Sequence, residues 1–180
     1  KTFGLLQYMF QWGMLIPTSE VSEMMVFDRI MVDIGDDQSI DNDLSTYSSF
    51  LVNMKDMLAK ADSKTLVLID EFGSGTEPAA GGAIAEAILS EMDKRGVYGV
   101  ITTHYTNLKL YASNETGVMN GAMMFDVQNI RPLFRLECGK PGSSFAMEIA
   151  RKIGLPEDII ASAKEKAGSE HIDLENNSAR

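Results

Sequence analysis

Apolar positions along the chain fall into short runs whose periods differ, and the periods predict the elements. Thr65–Ile69 ("TLVLI") is uncharged and largely β-branched, the pattern of a strand buried on both faces. Thr46–Lys60 instead places Phe50, Met54, Met57 and Leu58, then Ala61, on one helical face, with Ser45 as the N-cap. A second helix is expected at about 79–94 and a further strand at about 97–102. Strand, long helix, strand is a βαβ unit, so the sheet is at least partly parallel. Met24–Phe27 and Ile30–Asp33 also read as strands, and "MMFDVQNIRPLFRLE" reads as a hairpin on the sheet's edge. Two short helices, at 144–153 and 157–166, close the fold, with Gly154 ending the first and Pro156 starting the second. Ile153, Leu155, Ile159 and Ile160 of this pair look exposed and suited to an apolar contact, or to packing on their own domain. The polar stretch from Ser169 reads as a disordered tail. No internal repeat or low-complexity linker is present.

The first residues, "KTFGLLQYMFQWGMLIP", need a separate reading. Gln7 and Gln11 interrupt the apolar run, no initiator Met precedes it and no A-x-A-like site follows, so it does not read as a signal peptide. At about 14 apolar-rich residues it is also short for a membrane span. Apolar side chains all round predict a helix buried inside a domain. A chain that starts within such a helix has the look of a fragment.

Composition narrows the function. With 180 residues, 44% of them hydrophobic, the chain can bury the core of about one domain. A net charge of −10 argues against a phosphate-binding surface spread over it, because nucleic-acid affinity rests on clustered Lys and Arg. Any DNA contact is expected in other parts of a larger protein. One cysteine, Cys138, excludes an internal disulfide and suits a cytoplasmic protein.

The candidate chemistry starts where the buried strand ends, in two adjacent carboxylates, Asp70 and Glu71. Ligands of open α/β sheets sit beyond the carboxyl ends of the strands. An Asp there can hold a hydrated Mg²⁺ on a nucleotide's phosphates, and a Glu beside it can orient and deprotonate the attacking water. The plain alternative is an ordinary acidic pair in a loop. A second apolar run, "VITTHY", also ends in a polar residue, His104, which a parallel sheet brings to the same edge. There it either contacts a terminal phosphate or is simply structural. Asp33, Asp36, Asp37, Asp41 and Asp43 form an acidic loop whose spacing fails the EF-hand pattern. "LST" opens the helix after that loop. Its free N–H groups and the Ser45 hydroxyl make either an anion site or a simple N-cap, and spacing does not separate the two.

Taken in order, "LSTYSSFLVNM", "LVLIDEFGSGTEPAAGGAIAEAIL", "ITTHY" and "GSSFAMEIARKIGLPEDIIASA" resemble the ATPase domain of the MutS proteins, DNA-repair members of the ABC-type P-loop superfamily. The resemblance covers roughly residues 1–168, leaving 169–180 as a polar tail. "DEFGSGTEP" and "GLLQYMFQWGMLIP" look most like the MutS-II branch, which the resemblance links to recombination intermediates and to rescue of collided ribosomes. It implies an α/β, P-loop NTPase-like domain with a mostly parallel sheet and a C-terminal helix pair, acting with ATP and Mg²⁺ in a homodimer. By position, Asp70 would be the Walker B acid on Mg²⁺, Glu71 the catalytic base and His104 the switch histidine. Ser45, with Thr46, would reach the nucleotide of the partner subunit. The turn holding Gly73 and Gly75, with Glu77 after it, would match the loop that crosses the dimer interface.

One departure matters. No G-x-x-x-x-G-K-[ST] occurs in these residues. Lys1-Thr2 resembles its cut end, although the family carries a similar "KT-x-G-L-L" a few residues further on. Without the glycine amides that cradle the β- and γ-phosphates, this stretch alone is expected not to hydrolyse ATP. Two rivals follow: a non-hydrolysing ABC-fold dimerisation module, and a metal-dependent nuclease using Asp70, Glu71 and the acidic loop.

Overall fold

A computed structural model describes residues 1–34 and 46–177. The chain divides into two compact units, Lys1–Val118 and Met119–Arg180.

The first unit is built on three parallel strands in the order β1-β2-β3: β1 (Arg29–Asp33), β2 (Thr65–Ile69) and β3 (Tyr98–Ile101). Helix α2 (Thr46–Lys60) lies between β1 and β2 in the chain, and α3 (Pro78–Lys94) between β2 and β3. This is the expected α/β arrangement, with the two predicted strands side by side and parallel. Every residue of β2 is buried. Its alternation splits the core in two: Val67 and Ile69 join Phe50, Met54, Met57, Phe72, Ala85 and Leu108, while Leu66 and Leu68 meet Phe27. A strand with helices on one face and chain on the other must be apolar throughout, which is why its sequence lacks a polar face.

Helix α1 (Thr2–Gln11) forms as expected, but its burial is opposite to the reading of an apolar helix sunk in a core. Gln7 is its one buried residue, while Leu5, Tyr8, Trp12 and the following Leu15 are exposed. The inward face is Gly4, Gln7 and Gln11. A Cβ at Gly4 would stand 2.5 Å from Leu68 Cδ1, so the helix passes close to β2 only because that position has no side chain.

The two glutamines also explain why Met24–Phe27 is not a strand, as its apolar character suggested. Gln7 Nε2 donates to the Met25 carbonyl at 2.7 Å. Gln11 Nε2 donates to the Phe27 carbonyl and its Oε1 accepts from the Phe27 N–H, both at 3.0 Å. Side-chain amides thus take the bonds that a neighbouring strand would supply, and ladder pairing begins only at Arg29.

Helix α4 (Thr106–Asn114), absent from the expected elements, completes this unit. It buries only Leu108, so its sequence has no apolar stripe to mark it.

In the second unit, β4 (Gly121–Asp126) and β5 (Arg131–Cys138) form the expected hairpin, but as a separate two-stranded antiparallel sheet and not an edge of the parallel one. Helix α5 (Ala146–Ile153) ends at Gly154 in the left-handed conformation (φ 94°), with the Leu155 N–H returning to the Ala150 carbonyl. Helix α6 (Glu157–Asn177) runs well past the expected 166, so the backbone from Ser169 to Asn177 is helical where a disordered tail was expected. Ile153, Leu155 and Ile159 are exposed, as read, whereas Ile160 is buried. No described helix is long and apolar enough to cross a membrane.

Candidate functional site

The site sits at the carboxyl edge of the parallel sheet, where β2 and β3 run out together. Register pairs Ile69 with Ile101, so the residues that follow each strand emerge side by side. Ladder-like bonding continues past the strand ends. The Thr102 N–H donates to the Ile69 carbonyl and the Phe72 N–H donates to the Thr102 carbonyl, both at 2.9 Å. On the other flank the Asp70 N–H donates to the Asp33 carbonyl of β1 at 2.8 Å.

The two carboxylates therefore leave a backbone that neighbours hold on both sides. The Thr102 hydroxyl donates to Asp70 Oδ1. The Thr102 hydroxyl oxygen in turn accepts from the Glu71 N–H at 2.9 Å. Asp70 is half-buried and Glu71 exposed. Glu71 has φ 51°, in the left-handed region that a residue with a Cβ enters only when its surroundings hold it there. The next side chain, Phe72, turns inward and is buried against Phe50, their rings edge-on at 5.6 Å.

The turn after Phe72 is fixed by a close approach. Gly73 has φ 81°, and a Cβ there would lie 3.0 Å from both the Ala85 Cβ and the Tyr105 ring. Tyr105, buried, donates its hydroxyl to the Gly73 carbonyl at 2.8 Å. His104, exposed beside it, stacks obliquely on the Tyr105 ring with centroids 5.0 Å apart. Gly75 follows at φ 93°, with its missing Cβ 3.7 Å from the Tyr47 N–H nitrogen at the start of α2. Asp70, Glu71, Gly73 and the loop carrying His104 thus share one edge of the sheet, and Gly75 lies against the first turn of α2, which Thr46 opens. Ser45 and Asp36, Asp37, Asp41 and Asp43 lie outside the described residues.

Glu77 is the N-cap of α3. Its Oε1 accepts from the Ala79 N–H at 2.9 Å and its Oε2 from the Ala80 N–H at 2.8 Å. This helix end is already capped by the chain's own carboxylate. The Ala79 bond first, then the Ala80 bond, holds the Glu77 carboxyl below its usual range. A depressed folded pKa stabilises the fold above the unfolded value of 4.5 and loses that effect as pH falls through the folded value. Glu77→Gln should therefore lower Tm at neutral pH, and the gap from the unchanged protein should close as pH is lowered to roughly 3. Thermal melts across that range check this, and a gap that widens in acid would contradict it.

Among the described residues, no three His, Cys, Asp or Glu side chains converge on a self-contained metal site. The donor set fits an ion that arrives on a ligand. Mg²⁺ bound to nucleotide phosphates keeps several waters and takes one or two protein carboxylates, and Asp70 at the sheet edge offers one. The sequence reading missed Thr102 and Tyr105 as site residues. Their place in "ITTHY", just after an apolar run, was visible in sequence, but that they stand beside Asp70 and Gly73 follows from the register of β2 and β3.

Residues 1–170 match the family model described as MutS domain V. Among similar proteins, the Endonuclease MutS2 of Exiguobacterium sibiricum is 46% identical over 175 residues, 97% of this chain and 22% of that protein. Endonuclease MutS2 of Geobacillus kaustophilus is 47% identical over 176 residues, 98% of the chain and 22% of that protein. The Halalkalibacterium halodurans protein of the same name is 49% identical over 164 residues, 91% of the chain and 21% of that protein. The chain spans about a fifth of the length of these relatives.

Proposed function

The chain belongs to the MutS family, as a MutS domain V most like the MutS-II branch, and from that premise we propose that it is the ATP-hydrolysing part of a longer protein acting in DNA repair or recombination. The observation that carries this reading is the carboxylate pair at the carboxyl edge of a parallel sheet, tied to the strand that leads to His104. In a P-loop NTPase-like, ABC-type arrangement, Asp70 holds the Mg²⁺ of ATP and Glu71 takes the proton of the attacking water. His104 contacts the terminal phosphate, and the Gly73–Gly75 turn runs along the interface of a two-fold dimer. Ser45 and Thr46 serve the partner's nucleotide. The bound Mg²⁺·ATP supplies the reactive phosphoryl group; the chain's own part is to hold, orient and accept the proton.

A phosphate cradle made of glycine amides and a Lys is not among these residues. The isolated stretch is therefore expected to turn over ATP only at background rate, and the longer protein to supply that loop. DNA contacts, or ribosomal ones as in the MutS-II resemblance, fall to other parts of that protein, in keeping with the −10 charge here. The alternative is a non-hydrolysing dimerisation module, against which the presence of Asp70, Glu71, His104 and Ser45 together argues.

Complementation tests the reading. In the full-length protein, subunits carrying Ser45→Arg are mixed with subunits carrying Glu71→Gln, and ATPase is measured per heterodimer. Trans pairing places both defects in one composite site and spares the other, so activity inactive in either parent partly returns. No return means that each site is built from one chain. No ATPase in the unchanged full-length protein leaves the dimerisation module.

A further inference from the structure

We infer that Thr102 is a positioning residue that sets the orientation of Asp70 and Glu71 together, and so the affinity of the site for the Mg²⁺ that accompanies ATP. This rests on the ATPase reading above. The inference comes from the number and order of the bonds this one residue makes. Its N–H donates to the carbonyl of residue 69, and its hydroxyl donates to the carboxylate of residue 70. The same hydroxyl accepts the N–H of residue 71, and its carbonyl accepts the N–H of residue 72. Four successive residues of the strand end and turn are thus bonded to the single residue that follows β3.

Two of those four bonds are backbone bonds that any residue would make. The other two belong to the hydroxyl, and they constrain each other. A hydroxyl has one proton and two acceptor lone pairs. The proton is committed to Asp70 Oδ1, so the lone pair facing Glu71 is fixed in direction, and the carboxylate cannot rotate without losing a charge-assisted bond. One Asp70 oxygen is thereby occupied and the other left for a cation or its waters. Glu71, at φ 51°, depends on the Thr102 hydroxyl oxygen for its N–H bond. Partners that orient a metal-binding carboxylate in this way affect metal affinity or activity by about 10–100-fold when removed.

Thr102→Val keeps the branched shape and both backbone bonds and removes only the hydroxyl. In the full-length protein it should lower kcat about tenfold or more and raise the Mg²⁺ concentration for half-maximal ATPase several-fold. Thr102→Ser, which restores a hydroxyl, should return both close to the unchanged values. ATP affinity, measured in a Glu71→Gln background, should stay the same. Thr102→Ala provides a second hydroxyl-free variant should the valine form lose its thermal transition. A merely structural Thr102 would lower Tm and the active fraction in the valine and alanine forms while leaving the Mg²⁺ half-point unmoved, and that result overturns the inference. So does a serine variant as impaired as valine. If the unchanged protein shows no turnover that Glu71→Gln removes, the ATPase reading itself fails and takes this inference with it. Glu71-dependent turnover that is indifferent to Thr102→Val overturns Thr102 alone.

Discussion

Replacing Glu71 by Gln in the full-length protein should cut ATP turnover by about 10²–10⁴-fold, the usual cost of losing one general base, while ATP still binds. The substitution keeps the shape of the side chain and removes only its ability to take a proton. The contact that holds this residue in place is made by its main-chain N–H to the Thr102 hydroxyl, which the substitution leaves alone. The side chain itself is exposed, so no core contact is disturbed and stability should shift by no more than about 0.5 kcal/mol. Phosphate release measures the turnover, and a fluorescent nucleotide measures the binding. Turnover unchanged by the substitution would remove Glu71 from the role of base and leave the carboxylate pair as an ordinary edge feature. Loss of binding together with turnover would assign Glu71 to holding the nucleotide instead.

How far sequence alone reached depended on whether each element's own packing was written in its pattern. Strand β2 and helix α2 appear with the expected bounds because each has an unambiguous signal. One is apolar on both faces, and the other has an apolar stripe that the core receives through Phe50, Met54 and Met57. Helix α1 was misread because its inward face is polar. Gln7 and Gln11, which interrupt the apolar run in sequence, are the residues that bond to Met25 and Phe27 in space. Phe3, Leu5, Tyr8 and Trp12 around them are exposed. The same amides account for the strand wrongly expected at Met24–Phe27, since β-like composition does not say whether a neighbouring strand or a side chain will take the backbone's hydrogen bonds. Helix α4 buries one side chain and so left no period to detect. At the site, Asp70, Glu71 and His104 were legible as polar residues closing apolar runs. Thr102 was not, because its importance depends on which residues stand opposite it, and register is a property of the paired strands alone.

Phe72, next in the chain to the exposed Glu71, should respond in the opposite way: Phe72→Ala should destabilise the fold by about 3–5 kcal/mol, whatever its effect on the chemistry. Its side chain is 1% exposed and lies edge-on to Phe50, within the cluster that also holds Ile69, Ala85 and Tyr105. Removing the ring deletes apolar burial and leaves a cavity among residues that three separate elements fix in place, so little collapse can offset the loss. Phe72→Leu, which fills most of that space, should cost distinctly less. Urea denaturation of the three proteins checks the order. An alanine variant within about 0.5 kcal/mol of the parent would mean that this part of the core can relax around the gap. The consequence for function follows from position. Residue 71 faces out because residue 72 faces in, and Gly73, at φ 81°, is held from the other side by the Tyr105 hydroxyl. The ring is thus the inner anchor of the turn that presents Glu71. Under conditions where the alanine variant remains folded, its ATPase should fall further than the small unfolded fraction explains, whereas the leucine variant should lose activity only in proportion to its stability.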